Sequence, residues 1–210
     1  MAKRLTVEIA SDVICPWCYI GKRRFEKAVA LAADEVQVEL RWLPFQLNPD
    51  MPAGGMARRA YREAKFGSLE RSRQLDARVA AEGAKEGIAF AFDRMERTPN
   101  TSRAHQLIDV AQRSGRAQAV VDALFRAYFE AGRDIGDEAV LAELASAAGV
   151  ADWPAAADAD RVAALEEDVR SLGIQAVPTF ILDRRVGVSG AQAPETLAQA
   201  LRETAEAESA

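Results

Sequence analysis

The chain contains two cysteines, Cys15 and Cys18, which stand two residues apart in the segment DVICPWCYIGKRRFE, residues 12–26. Thiols at this spacing can form a redox-active disulfide, supply half of a metal site, or lie side by side as unreactive buried groups. A C-x-x-C pair indicates a redox centre when it follows a strand and opens a helix within a β-α-β unit. The chemistry therefore depends on the elements around the pair.

The residues on both sides of the cysteines supply that context. Apolar and polar residues alternate over residues 5–9, which predicts a strand. From about Pro16 to Ala33 the apolar residues recur at helical spacing, which predicts a helix with one buried face. Alternation returns from residue 36 and predicts a second strand that runs to Pro44. The helix of this β-α-β unit begins at the cysteines.

The helix start gives the two thiols different roles. Cys15 falls at the N-cap, where a thiolate can accept hydrogen bonds from the N–H groups of Trp17 and Cys18. Pro16 suits the first helical position, and the positive end of the helix dipole favours a negative sulfur. These effects predict a lowered pKa for Cys15. Cys18, one turn deeper, is suited to resolve a mixed disulfide by attacking the sulfur of Cys15.

The two other interpretations of the pair have less support. Unreactive thiols would leave the strand, the proline and the helix start as a coincidence. Zinc takes four ligands, and the only histidine that could join the two sulfurs is His105. We therefore predict no metal site, although a site shared across a dimer stays open.

The remainder of the chain predicts an α/β protein with a thioredoxin-like fold and a large helical insertion domain. A loop rich in proline and glycine follows Pro44, and more than a hundred residues of helical periodicity come after it. A hairpin is predicted at residues 177–189, followed by a closing helix from Pro194.

The domain boundaries follow from this order of elements. Residues 1–45 and 173–210 are assigned to the thioredoxin-like domain, and residues 46–172 to the inserted helical domain. We expect no strand within residues 100–170.

The charge and composition of the chain bear on its binding partners and on its cellular location. The net charge of −5 and the lack of a basic stripe argue against nucleic-acid binding. The segment MAKRLTVEIASDV lacks the apolar stretch of a signal peptide, and no apolar run is long enough to span a membrane. We expect a cytoplasmic protein without membrane association, and structural disulfides are rare in the cytoplasm because thiols are kept reduced.

Several segments in order along nearly the whole chain resemble the DsbA family, and most closely its FrnE-like cytoplasmic dithiol-disulfide oxidoreductases. They are SDVICPWCYIGK, RWLPFQLNP, KFG, FDRMERTPNTSRAHQL, LFRAYFEAGRDI, GIQAVPTFIL and SGAQAP. The resemblance implies a thioredoxin fold with a helical insertion, an attacking Cys15 and a resolving Cys18. It also implies a cis Val177-Pro178 bond opposite the disulfide, with the backbone of Val177 presented to a substrate chain. A simpler alternative is that Pro178 only begins a strand.

Other residues have one functional and one structural interpretation each. Pro16 and a partly exposed Trp17 are candidate substrate contacts beside the cysteines. His105 either lines the cavity above the cysteines, as in the related family, or is a hydrogen-bonded helix residue. Asn100 either contacts substrate or, as we favour, caps the helix that follows it. Asp12 is a proton acceptor or, as we favour, a turn residue.

Three basic residues follow one another in the predicted helix that begins at the cysteines. Lys22, Arg23 and Arg24 are expected to form a solvated face.

The predicted activity is disulfide exchange with a protein or small thiol substrate, without a bound cofactor but with glutathione as a candidate redox partner. The alternatives are a glutathione-dependent isomerase or transferase of the 2-hydroxychromene-2-carboxylate or kappa class, and a non-enzymatic chaperone or binding module. Those isomerases and transferases typically carry serine where Cys15 stands. The direction of exchange, the substrate and the oligomeric state stay open.

Overall fold

The computed structural model of the chain describes residues 2–207, which divide into two compact units. One unit combines the residues up to Phe45 with those from Leu165 onward, and the other comprises Gln46–Ala164. The sequence prediction places the second boundary later, at residue 173. The boundary at Leu165 falls inside a helix, Ala159–Ser171, which contributes to both units.

The described residues form six strands and eight helices, with one π-helical turn between two of the helices. None of these helices has both the length and the apolar character that a membrane span needs. In chain order the elements are β1 (Lys3–Ser11), α1 (Pro16–Leu31), β2 (Val36–Pro44), β3 (Met56–Ala57), α2 (Arg58–Phe66), α3 (Leu69–Lys85), β4 (Arg97–Thr98), α4 (Ser102–Arg113), α5 (Ala117–Phe125), the π-helical turn (Arg126–Glu130), α6 (Glu138–Ala147), α7 (Ala159–Ser171), β5 (Thr179–Leu182), β6 (Val186–Ser189) and α8 (Pro194–Glu206).

The first unit is built on a four-stranded sheet in the order β2-β1-β5-β6. β1 runs parallel to β2 and antiparallel to β5, and β5 and β6 form the predicted hairpin. Ile9 of β1 lies opposite Trp42 on one side and Phe180 on the other. Because β1 is central, its last residues are buried on both faces. This is the thioredoxin-like arrangement predicted from the β-α-β opening and the late hairpin.

Helix α1 connects the cysteines to this sheet. It begins at Pro16, in the first helical position, and its buried face includes Ile20, Phe25 and Ala28. The ring of Phe25 stacks on Phe180 of β5, with 5.0 Å between ring centroids and 21° between ring planes. The same helix also packs against α8. Helix α1 and strand β5 are thus held in a fixed relation.

The hairpin turn contains no glycine although its backbone is left-handed at Asp183 (φ 46°) and Arg184 (φ 56°). Side chains of the turn compensate by bonding to β1. Asp183 accepts a hydrogen bond from the N–H of Thr6 at 2.7 Å, and Arg184 donates to both carboxylate oxygens of Glu8 at 2.9 Å. Glu8 is only 4% exposed, so its charge is paired within the protein.

The second unit is mainly helical, as predicted. Asp137 caps α6 by accepting from the N–H groups of Ala139 and Val140 at 2.8 and 3.0 Å. No strand lies within residues 100–170, all of which the structure describes.

The prediction of an all-helical second unit is wrong at one point, because β3 and β4 pair antiparallel. Strands of two residues are too short to show alternation in the sequence. Within the predicted helical region, the helix that begins at Ala117 also changes to π geometry over Arg126–Glu130.

We expect Arg184→Gln to lower the free energy of unfolding by about 1–3 kcal/mol, because it leaves the buried Glu8 carboxylate without its bidentate partner. Urea denaturation measures the change. The matched control is Arg41→Gln, which removes an exposed ion pair with Glu39 and should cost less than about 1 kcal/mol. Equal effects of the two substitutions would contradict a stabilising role for the bond between Arg184 and the buried Glu8 carboxylate.

Candidate active site

Cys15 and Cys18 lie where the chain leaves β1 and enters α1. Neither forms a disulfide, and their exposures are only 5% and 1%. The turn is closed by the N–H of Cys15, which donates to the carbonyl of Asp12 at 3.0 Å. The carbonyl of Cys15 in turn accepts from the N–H of Cys18 at 3.0 Å. The predicted placement of Cys15 at the N-cap is confirmed.

Several groups act on the sulfur of Cys15. The thiol of Cys18 donates a hydrogen bond to it, and this is the largest influence that lowers the pKa of Cys15. Burial and the negative charge of Asp12 act in the opposite direction. The backbone N–H groups of Cys18 and Trp17 lower this pKa further, although the sulfur forms no capping hydrogen bond of regular geometry. The net effect is a lowered pKa for Cys15.

The surroundings of Cys18 have the opposite effect. Burial raises the pKa of Cys18 well above its ordinary value, and the neighbouring Cys15 sulfur raises it further. The hydroxyl of Ser11 and the backbone N–H of Asp12 partly offset this by lowering the pKa of Cys18. The pair thus contains one thiol biased toward the thiolate and one that keeps its proton.

The segment before β5 approaches Cys15. The Val177-Pro178 peptide bond is cis, in agreement with the geometry that the family resemblance implies. The Cys15 thiol points at the carbonyl oxygen of Val177, with 3.7 Å between sulfur and oxygen. Val177 is half-buried and Pro178 is buried. The carbonyl of Pro178 accepts from the N–H of Gly190 at 2.8 Å, which ties this segment to the end of β6.

Gly21 permits the close approach of α1 and Pro178. A Cβ atom at Gly21 would lie 2.7 Å from Cγ of Pro178 and 3.5 Å from both Ala191 and Phe180. Carbon atoms cannot approach to 2.7 Å without displacement, so only glycine fits here. In the sequence this residue is one more small member of the apolar helix face, and nothing there indicates its contact with Pro178.

The residues between and before the cysteines have distinct environments. Trp17 is 40% exposed, which agrees with the predicted partial exposure, and Pro16 is half-buried. Asp12 is fully buried, and Oδ1 of its carboxylate accepts from the N–H of Ile14 at 3.4 Å. This bond and the carbonyl bond to Cys15 make Asp12 a turn residue, as favoured from the sequence.

The expectation of a solvated face at Lys22 is wrong. Lys22 is 2% exposed, because it lies one helical turn after Cys18 on the same buried side of α1. Its ammonium group is 2.5 Å from the carboxylate of Glu26, which pairs the charge while the carbon stem is buried. Arg24 is half-buried as well and donates to the carbonyl of Ala191 at 2.7 Å.

His105 and Asn100 belong to the second unit. His105 is 4% exposed within α4, where its backbone N–H donates to the carbonyl of Thr101 at 2.9 Å. The Asn100 side chain accepts from the N–H of Ser102 at 2.9 Å and donates to the carbonyl of Met51 at 2.7 Å. Asn100 thus supports the start of α4 from the residue before the N-cap, which is Thr101, and it is not itself the N-cap that the sequence interpretation favoured. Substrate contacts of either residue stay predictions.

Potential metal ligands do not cluster in the part of the chain that the structure describes. Residues 2–207 contain no group of three or more His, Cys, Asp or Glu side chains arranged to hold an ion.

Comparison with known proteins gives the family. The family model of the DSBA-like thioredoxin domain matches residues 6–202. The chain belongs to the DsbA-like thioredoxin family. Membership supports an oxidoreductase or a related enzyme, and places the free Cys15 and Cys18 in a family of thiol and disulfide chemistry.

Among solved structures, the chain is similar to a probable DsbA oxidoreductase from Streptomyces coelicolor. The two are 38% identical, with a TM-score of 0.85, and the match covers 95% of this chain and 89% of that one.

Two further structures resemble the chain in fold alone. The cytosolic disulfide reductase DsbM from Pseudomonas aeruginosa, solved with glutathione, is 23% identical with a TM-score of 0.65, over 97% of this chain and 98% of that one. A 2-hydroxychromene-2-carboxylate isomerase is 16% identical with a TM-score of 0.69, also over 97% and 98% of the two chains.

We expect Cys15 to react with iodoacetamide with a pKa below the value of about 8.5 for a free cysteine. Its alkylation rate should rise as pH increases through that lowered pKa, because only the thiolate reacts. In Cys18→Ala the pKa of Cys15 should rise, since the largest lowering influence is removed. Cys18→Ser retains a hydroxyl donor and serves as the control. A pH profile of Cys15 that is identical in all three proteins would contradict the role of the Cys18 hydrogen bond.

We expect Gly21→Ala to lower the free energy of unfolding by about 1–3 kcal/mol, because the new methyl group collides with the ring of Pro178. The sign of this change is informative, since replacing glycine by alanine within a helix ordinarily raises the free energy of unfolding by about 1 kcal/mol. Displacement of Pro178 should also slow the reaction of Cys15 with disulfides. Gly187→Ala is the control, because a Cβ at that position has no neighbour within 4 Å. A stabilised Gly21→Ala protein would refute the close contact.

Proposed function

We propose that the protein is a cytoplasmic dithiol-disulfide oxidoreductase of the FrnE-like type, in which Cys15 and Cys18 exchange disulfides with a protein or small thiol substrate. One observation carries this proposal. Cys15 lies at the N-cap of α1, and Cys18 is buried one turn deeper at 1% exposure. In these positions the Cys18 thiol and the nearby backbone N–H groups lower the pKa of Cys15, while burial raises the pKa of Cys18. A nucleophilic thiol beside a protonated one is the arrangement that stepwise disulfide exchange requires.

In the first step the Cys15 thiolate attacks one sulfur of a substrate disulfide. The bond between Cys15 and that sulfur forms, the substrate disulfide breaks, and its second sulfur leaves as a thiolate. Cys15 is the proposed entry point, because its pKa is lowered and it is 5% exposed, whereas Cys18 is 1% exposed and has a raised pKa.

In the second step Cys18 loses its proton and attacks the sulfur of Cys15. The Cys15-Cys18 disulfide forms, and the remaining substrate sulfur leaves and takes up a proton. The protein thereby loses two electrons and the substrate disulfide gains them. The reverse sequence oxidises a substrate dithiol, and the reduction potentials of the two dithiol-disulfide pairs, together with their concentrations, set the direction.

The substrate is proposed to lie across the surface next to Cys15. Val177 is a candidate partner because its carbonyl already faces the Cys15 sulfur, which puts backbone polar groups beside the reacting atom. Pro16 and Trp17 directly follow Cys15 in the sequence. The ring of Pro16 and the exposed indole of Trp17 would add apolar contacts to the substrate. His105 and Asn100 stay candidate substrate contacts on the strength of the family resemblance.

Glutathione is the proposed small-molecule partner. Its sulfur would join Cys15 as a mixed disulfide and be expelled by Cys18, so it acts as a redox partner and not as a resident cofactor. Likeness of fold to the glutathione-bound reductase DsbM supports glutathione as the first thiol to test.

The isomerase alternative differs at the nucleophile. Its glutathione would bind without a covalent bond, with a serine hydroxyl in place of the Cys15 sulfur to hydrogen-bond its thiolate. The presence of both cysteines favours exchange. Cys15→Ser, assayed with glutathione and a hydroxychromene-type substrate, separates the two functions. Retained isomerisation by this variant, together with a wild type that exchanges no disulfides, would select the isomerase.

We expect Cys18→Ser to accumulate a mixed disulfide between Cys15 and glutathione, because residues 2–207 contain no other thiol to resolve it. Incubation with oxidised glutathione, followed by intact mass spectrometry, should show one glutathione per chain. The wild type should show no stable adduct under the same conditions. Cys15→Ser should form no adduct and should lose insulin reduction.

The outcome that overturns the proposal is specific. Insulin reduction by Cys15→Ser at the wild-type rate would show that the dithiol is idle, and would favour the chaperone or binding-module interpretation instead.

A further inference from the structure

The hydroxyl of Ser11 is buried and has no hydrogen-bond partner of regular geometry among the described residues while both cysteines are reduced. Ser11 is the last residue of β1 and is 5% exposed. Its hydroxyl oxygen is fully buried and forms no hydrogen bond of regular geometry with any residue from 2 to 207. The backbone carbonyl of Ser11 is satisfied, because it accepts from the N–H of Phe45 at 3.2 Å. Buried polar atoms without partners are rare in folded proteins, and each needs a physical explanation.

The surroundings of the hydroxyl offer an explanation. It lies beside the sulfur of Cys18, close enough to lower the pKa of that thiol. The backbone N–H of Asp12, the next residue, acts on the same sulfur in the same direction. In the dithiol state Cys18 is a neutral thiol whose S–H donates a hydrogen bond to the sulfur of Cys15, so the Cys18 sulfur is only a weak acceptor for Ser11.

We propose that Ser11 is a catalytic residue whose hydroxyl donates a hydrogen bond to the sulfur of Cys18 while that sulfur is negatively charged. The proposal rests on the proposed function, since Cys18 becomes charged only during disulfide exchange. Ser11 does not supply or remove a proton. It stabilises the anion through a hydrogen bond that is stronger than the one it can make to a neutral thiol.

The step concerned is the resolution of the mixed disulfide. Cys18 releases its proton, the resulting thiolate attacks the sulfur of Cys15, and the Cys15-Cys18 bond forms as the substrate sulfur leaves and takes up a proton. In the reverse direction an external thiolate attacks Cys15 and Cys18 leaves as a thiolate. Both directions pass through a charged Cys18 sulfur in a buried site, where water cannot solvate it.

A donor that is fixed before the reaction needs no reorganisation when charge develops. This is the condition under which a hydrogen bond accelerates a reaction more than it stabilises the ground state. The place of Ser11 in the fold supports the same conclusion, because it is the last residue of an interior strand and lies opposite Pro44 of β2. Ser11 is therefore placed to set the rate of resolution and to leave the initial attack by Cys15 unaffected.

The test uses an aromatic disulfide whose thiolate product is coloured, mixed with the reduced full-length chain. A first release of colour reports the attack by Cys15, and a second release reports resolution by Cys18. In Ser11→Ala the first release should keep the wild-type rate, while the second should slow by about tenfold, the factor expected for loss of one hydrogen bond to a charged atom. The pH at which the second release reaches half its maximum rate should also rise.

The matched control is Thr204→Val, which removes another buried hydroxyl of the same unit. That hydroxyl donates to the carbonyl of Ala200 at 2.7 Å, and Thr204 is 3% exposed. Both releases in this variant should match the wild type. Should Ser11→Ala fail to show a cooperative thermal unfolding transition, Ser11→Val provides the same comparison, because it also lacks the hydroxyl and valine is favoured in strands.

The outcomes separate the two proposals. A wild type that releases no coloured thiolate refutes the proposed disulfide exchange itself. If the wild type releases both thiolates and the Ser11 variant resolves at the same rate, exchange stands and the role of Ser11 is refuted. An equal slowing in Thr204→Val also refutes it, since the effect would then be a general consequence of losing a buried hydroxyl.

Discussion

The hydrogen bond from the Cys18 thiol to the Cys15 sulfur is the interaction on which the rest of the site depends. It lowers the pKa of Cys15 and requires that Cys18 keep its proton, so one bond assigns both roles. The bond exists because Cys15 is at the N-cap while Cys18 lies one turn into α1. Burial reinforces the difference, since it penalises a thiolate at Cys18, where fewer donors compensate.

The fold holds this pair in position through close contacts that leave little freedom. Gly21 lets Pro178 pack directly against α1, and the stacked rings of Phe25 and Phe180 fix β5 against the same helix. The carbonyl of Val177 is thereby kept near the Cys15 sulfur. Helix, strand and cis-proline segment thus form one packed structure, in which a displacement of any part changes the surroundings of the nucleophile.

Two charged groups buried in the first unit, Glu8 and Lys22, each have a partner of opposite charge. The carboxylate of Glu8 is bound by Arg184, and the ammonium of Lys22 by Glu26. The first pair also accounts for a hairpin turn that lacks glycine, because its bonds to β1 help to hold a left-handed backbone in place. The pairs illustrate why charge alone does not predict exposure, since a long side chain can be buried when its charged end has a partner.

The sequence by itself determined the C-x-x-C motif, the β-α-β opening and the hairpin, because each rests on local periodicity or on a residue's own preference. The tertiary structure decided the burial of Lys22, the contact of Gly21 with Pro178 and the position of the Ser11 hydroxyl beside Cys18. The tertiary structure also decided the pairing of the two-residue strands β3 and β4, since these segments lie about forty residues apart in the sequence. These features are contacts between residues distant in sequence or on different elements, and no local pattern specifies which atoms will meet.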